Sequence, residues 1–208
     1  DLHLEFYPKD QGPLTRDRIQ AVRREADVLV LAGDIHSGTK GVRWALDRFP
    51  DIPVIYVLGN HEFYLNEYSD VLRDCRVLAE GTNVYVLDDD GVTIDEYTFL
   101  GATLWTDFRA NRNATISRRI AKKQMNDYNL IRFGDRLLTP EDTEEFHRCS
   151  REWLEETIGE NTIVVTHHGP HMDTQPPQFR HGDLAPPFTS DLTHLMGVSS
   201  HGACGAPL

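Results

Sequence analysis

Val54-Ile55-Tyr56-Val57-Leu58-Gly59-Asn60-His61-Glu62 runs from unbroken apolar residues straight into an amide, an imidazole and a carboxylate. Two other stretches repeat the arrangement. Val28-Leu29-Val30-Leu31-Ala32 ends at Gly33-Asp34, and Ile163-Val164-Val165-Thr166 ends at His167-His168. Apolar runs without alternation suit strands covered on both faces, as in a sheet flanked by helices. Such strands line up their carboxyl ends along one edge, where ligands collect in α/β proteins. Asp, Asn and His from distant segments can therefore converge there, which is the layout of an active site.

Working outward, Leu14 to Arg24 is amphipathic with Ile19 and Val22 inward, and it precedes the Val28 strand. Thr39 can cap a helix with Val42, Ala45, Leu46 and Phe49 on one stripe, and Val71, Leu72, Cys75, Leu78 and Ala79 mark another. This βα alternation argues a parallel, layered sheet with right-handed crossovers. Val84 to Leu87, Val92 to Ile94 and Thr98 to Trp105 then read as short antiparallel strands of a second sheet, with Asp90-Gly91 the strongest hairpin signal. Asn113 to Met125 reads as a basic, solvated helix. Thr139-Pro140-Glu141-Asp142 starts a further helix, with a cap, proline at the first position and acids in the first turn; Phe146, Cys149, Trp153 and Leu154 should form its buried stripe. Gly169 to Pro187 holds five prolines and reads as a long loop over the site.

At 208 residues the chain can bury roughly 70% of the surface its unfolded form exposes, so neither disulfides nor metal are needed merely to fold it. No repeat or internal boundary divides it. The expectation is one domain over 1–208, incomplete at both ends: Asp1 opens at what looks like a strand end, and 197–208 holds small residues and no apolar strand. Twenty-one Lys and Arg against 33 Asp and Glu give a net charge of −12. That balance disfavours nucleic-acid polymers and anionic membranes, and any phosphate-bearing partner would need a local cation. Cys75, Cys149 and Cys204 are far apart with no CxxC pair, and no apolar stretch approaches a membrane span. Reduced thiols in a cytoplasm are the expectation.

Asp1-Leu2-His3, at the strand period of two, would put a carboxylate and an imidazole on one face, able to grip one ion. Gly33-Asp34 adds a carboxylate after a residue that allows close backbone approach, Asn60-His61 an amide oxygen beside an imidazole, and His167-His168 two nitrogen donors. Such a mixture suits Mn, Fe, Zn or Ni better than Mg or Ca.

The order D-x-H, GD, GNHE and THH resembles the calcineurin-like metallophosphoesterases, and the start looks like bacterial members beginning SDLHLEF. The likeness runs from Asp1 to about Leu195, with further echoes at Gly101 to Thr106, Asn126-Asp127-Tyr128 and Ser190-Asp191-Leu192. It implies an α/β fold, a two-sheet sandwich flanked by helices in four αββα layers. It also implies that two divalent transition-metal ions are held, the first by Asp1 and His3 and the second by Asn60 and His167, with Asp34 bridging. The implied reaction is hydrolysis of a small phosphomonoester or phosphodiester by a metal-bridging hydroxide, with His61 as proton donor and Glu62 or Asp1 as the candidates for keeping it protonated.

Members of that family end with a strand leading into G-H-x-H, which this chain lacks after His194. The alternative expectation is therefore a non-catalytic interaction domain with an incomplete metal site. His201 could fill one position, and His168 could replace His167. His147 and His181 read as surface or satisfied core residues, His36 as a substrate contact or a helix cap, and His168 and His171 as supporting or substrate-side groups. Asp107 and Asp127 could line the pocket or simply serve turns.

Overall fold

The computed structural model of the protein describes residues 1–8, 12–110, 113–180, 182 and 185–197, and the backbone of 201–204. Its first half alternates helix and strand as the apolar pattern requires: α1 (Arg16–Glu25), β1 (Leu29–Ala32), α2 (Lys40–Arg48), β2 (Val54–Val57), α3 (Tyr68–Ala79) and β3 (Val84–Leu87). These three strands form one parallel sheet in the order β1-β2-β3. Next come β4 (Asp90–Ile94), β5 (Tyr97–Ala102), α4 (Ala114–Gln124), α5 (Asp127–Leu130), the two-residue strands β6 (Arg132–Phe133) and β7 (Arg136–Leu137), α6 (Pro140–Thr157), β8 (Thr162–Thr166) and β9 (His201–Cys204). A second sheet has the order β4-β5-β8-β9, with the first pair antiparallel and the others parallel.

The two sheets pack face to face. Ile55, Val57, Leu87, Phe99 and Val165 fill the space between them. The alternate residues of β2, Val54 and Tyr56, face the other way and join Ile19, Val42, Phe49, Val71 and Cys75 from the helices over the first sheet. Burial of both faces is why β2 carries no polar alternation. On the far side Leu100, Ala102 and Leu104 pack with Leu154 of α6 and with Leu192. The layers are thus helix, sheet, sheet, helix, as expected. No helix among the described residues is long and apolar enough to cross a membrane.

Several local expectations need correction. Val84–Leu87 is parallel to β2 and belongs to the first sheet, not to an antiparallel second one; a four-residue apolar run carries no information about strand direction. Asp90 and Gly91 lie inside β4, paired with Gly101 and Leu100. The turn of that hairpin falls at Asp95-Glu96, where Asp95 takes a left-handed φ of 52°. Thr39 occupies the start of α2, yet its side chain makes no capping bond. α6 begins with the expected capping box between Thr139 and Asp142, and Leu154 is buried with Phe146 and Trp153 packed against the core as expected, but Thr143, His147 and Ser150 are buried as well. Cys149 is exposed, whereas Cys75 is buried. The tail, read as holding no apolar strand, contributes the edge strand β9 beside β8. The side chain of His201, and His181 altogether, lie outside the described residues.

Candidate metal centre

The carboxyl ends of β1, β2 and β8 meet at one edge, and the first residues of the chain are laid across it. The backbone N–H groups of Leu2 and His3 both donate to the Asp34 carbonyl at 2.9 Å, and Leu4 N–H donates to Ile35 O at 2.9 Å. Residues 1–3 are not a strand, contrary to the period-two reading. His3 takes a left-handed φ of 45°, Gly33 one of 88° and Asp34 one of 53°. Left-handed conformations at non-glycine residues are held only where surrounding bonds determine them, and they concentrate at functional sites.

Two groups of donors result: Asp1, Asp34 and His167, and beside them His3, Glu5 and His61, the ligand atoms of each lying within 4.8 Å of one another. Asp34 stands between the groups. Its Oδ1 is 3.6 Å from His167 Nε2, and its Oδ2 is 3.7 Å from His3 Nε2 and 3.9 Å from His61 Nε2. Burial pushes the Asp34 carboxyl up, but His167, His61 with its backbone N–H, and His3 outweigh that and hold it below its usual value. Asn60 is aimed by its amide nitrogen, which donates to Asp127 Oδ1 at 2.9 Å and to the Tyr64 hydroxyl at 3.1 Å. Its Oδ1 is thereby turned to within 3.0 Å of His167 Nε2.

This donor set fits a cation. His167 Nδ1 lies 3.0 Å from the Ala32 carbonyl, which can only accept, so a neutral ring donates Nδ1–H there and keeps its lone pair at Nε2. That lone pair then faces two oxygens, Asn60 Oδ1 and Asp34 Oδ1, neither of which has a proton to give. Both carboxylate oxygens of Asp1 are also buried without a hydrogen-bond partner. Buried carboxylates are tolerated when they are paired or coordinate metal.

A family model of the calcineurin-like phosphoesterases matches residues 1–192. The chain belongs to the calcineurin-like phosphoesterase family. Membership supports a metal-dependent phosphoesterase type of role, and members typically bind divalent metals. The chain is also 25% identical over 191 residues to an uncharacterized protein of Acanthamoeba polyphaga mimivirus, covering 82% of this chain and 66% of the viral protein.

Within this family member the remaining polar residues divide by what they touch. His61 donates its backbone N–H to Asp34 Oδ1 at 2.9 Å, stacks on Tyr64 with ring centres 4.3 Å apart, and places Nδ1 2.8 Å from Glu5 Oε1. Glu5 is therefore the carboxylate beside His61. The expectation that Glu62 or Asp1 holds that ring is corrected, because the turn at His61–Phe63 carries Glu62 inward. Glu5 was missed, though Asp1-Leu2-His3-Leu4-Glu5 already showed polar groups at every second residue. Glu62 instead accepts backbone N–H groups from Asp34, Ile35 and Gly59 and the Tyr56 hydroxyl, all at 2.8–2.9 Å. Burial pushes its carboxyl up to about 7, with the Asp34 charge adding to that.

His168 turns away from the donors. Its Nδ1 lies 3.1 Å from Thr103 O and its ring stacks on Trp105, while burial, then His167, hold it neutral at about 3. His147 is a satisfied core residue, its Nδ1 3.1 Å from Leu104 O. His171 accepts the N–H of Asp173 and caps the short turn Met172–Thr174. Asp107 accepts the N–H of Arg109, which is turn chemistry, whereas Asp127 positions Asn60.

Proposed function

We propose that this chain hydrolyses a small phosphomonoester or phosphodiester at a centre of two divalent transition-metal ions held by Asp1, His3, Asp34, Asn60 and His167. The observation that carries the reading is the convergence of His167 Nε2, Asn60 Oδ1 and Asp34 Oδ1, with no proton among the latter two, next to a second donor group across the same Asp34. Divalent ions, when bound, supply Lewis-acid polarisation of a phosphoryl oxygen and of a water nucleophile.

The chain's own residues do the rest. Asp34, lying between both donor groups, offsets the repulsion of neighbouring cations. Asp127 and Tyr64 orient the Asn60 oxygen, and Ala32 fixes the tautomer of His167. His61 is half-buried at the rim of the site with Nδ1 against Glu5, so its Nε2 is the end that can face substrate. Glu5 at Nδ1 orients the ring, which suits His61 Nε2 to give a proton to a departing alkoxide as general acid. A small substrate reached in the cytoplasm agrees with the net charge of −12, which opposes nucleic-acid polymers.

Hydrolysis of bis(p-nitrophenyl) phosphate with added Mn tests the reading. Turnover that falls by roughly 100-fold or more in His61→Ala is expected, the range of general acid catalysis. A protein that retains two metals and turns over neither this diester nor its monoester would refute it and leave a non-catalytic domain.

A further inference from the structure

We infer that the cleft beside this centre, between the Leu4–Pro8 segment, α1 and α2, binds a second phosphate of the substrate, set apart from the one hydrolysed; the inference rests on the phosphoesterase reading above. The cleft measures about 900 Å³. Among the described residues Arg16, Lys40, Arg43 and Arg48 line it against one acid, Asp47, in a chain whose net charge is −12. Among the described residues Arg16, Lys40 and Arg43 enter no ion pair, whereas Arg23, Arg73, Arg118, Arg136 and Arg148 each have a carboxylate partner. A second cleft, between α3, β3 and β4, offers one cation, Arg76, which already faces Asp90 at 3.6 Å.

Position makes this cleft part of the site rather than a distant patch. Leu4 and Tyr7 form its wall, and the same short segment delivers His3 and Glu5 to the donor groups. On the other side His36 lines the cleft two residues after Asp34. At about 3.8 Å per residue, the His36 Cα lies within about 8 Å of that of Asp34. Trp44, half-buried on α2, gives the cleft an apolar surface beneath its cations, the combination that holds the body of a ligand while fixing its charged end. Guanidinium groups match phosphate oxygens in bidentate geometry, and a cationic pocket in an acidic protein selects by location which anions approach. The substrate class is therefore a small molecule with two separate phosphate groups, a bisphosphate.

The test uses inorganic tripolyphosphate and calorimetry on the EDTA-treated chain, so that the probe reports the cleft and not bound metal. Binding is expected, and the double change Lys40→Glu with Arg43→Glu should weaken it at least tenfold, while Lys122→Glu with Lys123→Glu on α4 should not. In the metal-loaded enzyme the same cleft variant should lower kcat/KM for a bisphosphate relative to bis(p-nitrophenyl) phosphate at least tenfold, mainly through KM. No binding, or binding indifferent to the cleft variant in a protein with unchanged circular dichroism, would overturn the inference. So would tighter binding of a single-stranded oligonucleotide than of tripolyphosphate at about 0.15 M salt. Cleft-dependent binding by a chain that hydrolyses no ester would support the cleft and count against the catalytic reading alone.

Discussion

Glu62 Oε2 accepts the backbone N–H of Asp34 at 2.9 Å, across 28 residues, and the same oxygen accepts the N–H of Gly59 at 2.8 Å. One buried carboxylate thus ties the end of β1 to the end of β2 and fixes the turn that presents Asp34. Glu62→Gln would set an amide N–H₂ against backbone N–H donors. We expect a loss of about 3 kcal/mol, the range for a charged buried acceptor, with weakened metal binding, although Glu62 is in neither donor group. Chemical denaturation and Mn titration check it; an unchanged variant in both would show that the carboxylate is not what holds the turn.

Gly59 has no room for a side chain. A Cβ there would lie 2.2 Å from Asp34 Oδ1 and 2.8 Å from His167 Cε1. Gly59→Ala should force Asp34 and His167 apart, costing about 1–3 kcal/mol from overpacking and lowering metal affinity. Isothermal titration with Mn reads the second effect directly, and affinity equal to that of the unmodified chain would argue against the tight approach.

His147 supplies a pH dependence remote from the donors. Burial lowers its pKa below the usual 6.5, and the opposing pull of Asp107 and the Leu104 carbonyl does not reverse this. The unfolded chain therefore takes up a proton near 6.5 that the folded chain refuses, so stability declines as pH falls below that value. His147→Gln removes that contribution while keeping an N–H for Leu104. Its denaturation midpoint should drop less between about pH 7 and about pH 5 than that of the unmodified protein; parallel curves would contradict the assignment.

Thr139 and Asp142 cap α6 reciprocally, with Thr139 N–H donating to Asp142 Oδ2 at 2.8 Å and Arg136 gripping the same carboxylate at 2.6 and 2.8 Å. Thr139→Ala should cost about 1 kcal/mol, the usual worth of a side-chain cap. Thermal unfolding checks that cost, and metal content should stay unchanged because neither residue contacts the donors.

Much of the architecture was legible because β1, β2 and β8 are covered on both faces, and only uniformly apolar runs survive there. The candidate-site residues at their ends were legible for the same reason: Asp34, Asn60 and His167 interrupt those runs abruptly, and the structure brings Asp34 and Asn60 each within 4 Å of His167. What failed depends on direction and side. Val84–Leu87 does not encode whether its neighbour runs with it or against it. Asp90-Gly91 has ideal turn composition, yet the ladder from Asp90 to Ile94 against Tyr97 to Gly101 outcompetes it. Glu5 takes the place beside His61 expected of Glu62 because a short turn after Asn60 decides which residue faces inward, and that geometry is set by bonds from Glu62 to a strand end 28 residues away.

The most direct test is the count of Mn ions bound per chain, by equilibrium dialysis and mass spectrometry, in the unmodified protein and in Asp34→Asn. Because Asp34 faces both donor groups, the account predicts two ions in the former and loss of affinity for both in the latter. A chain that binds no metal, or an Asp34→Asn variant that binds two as tightly as before, would contradict it.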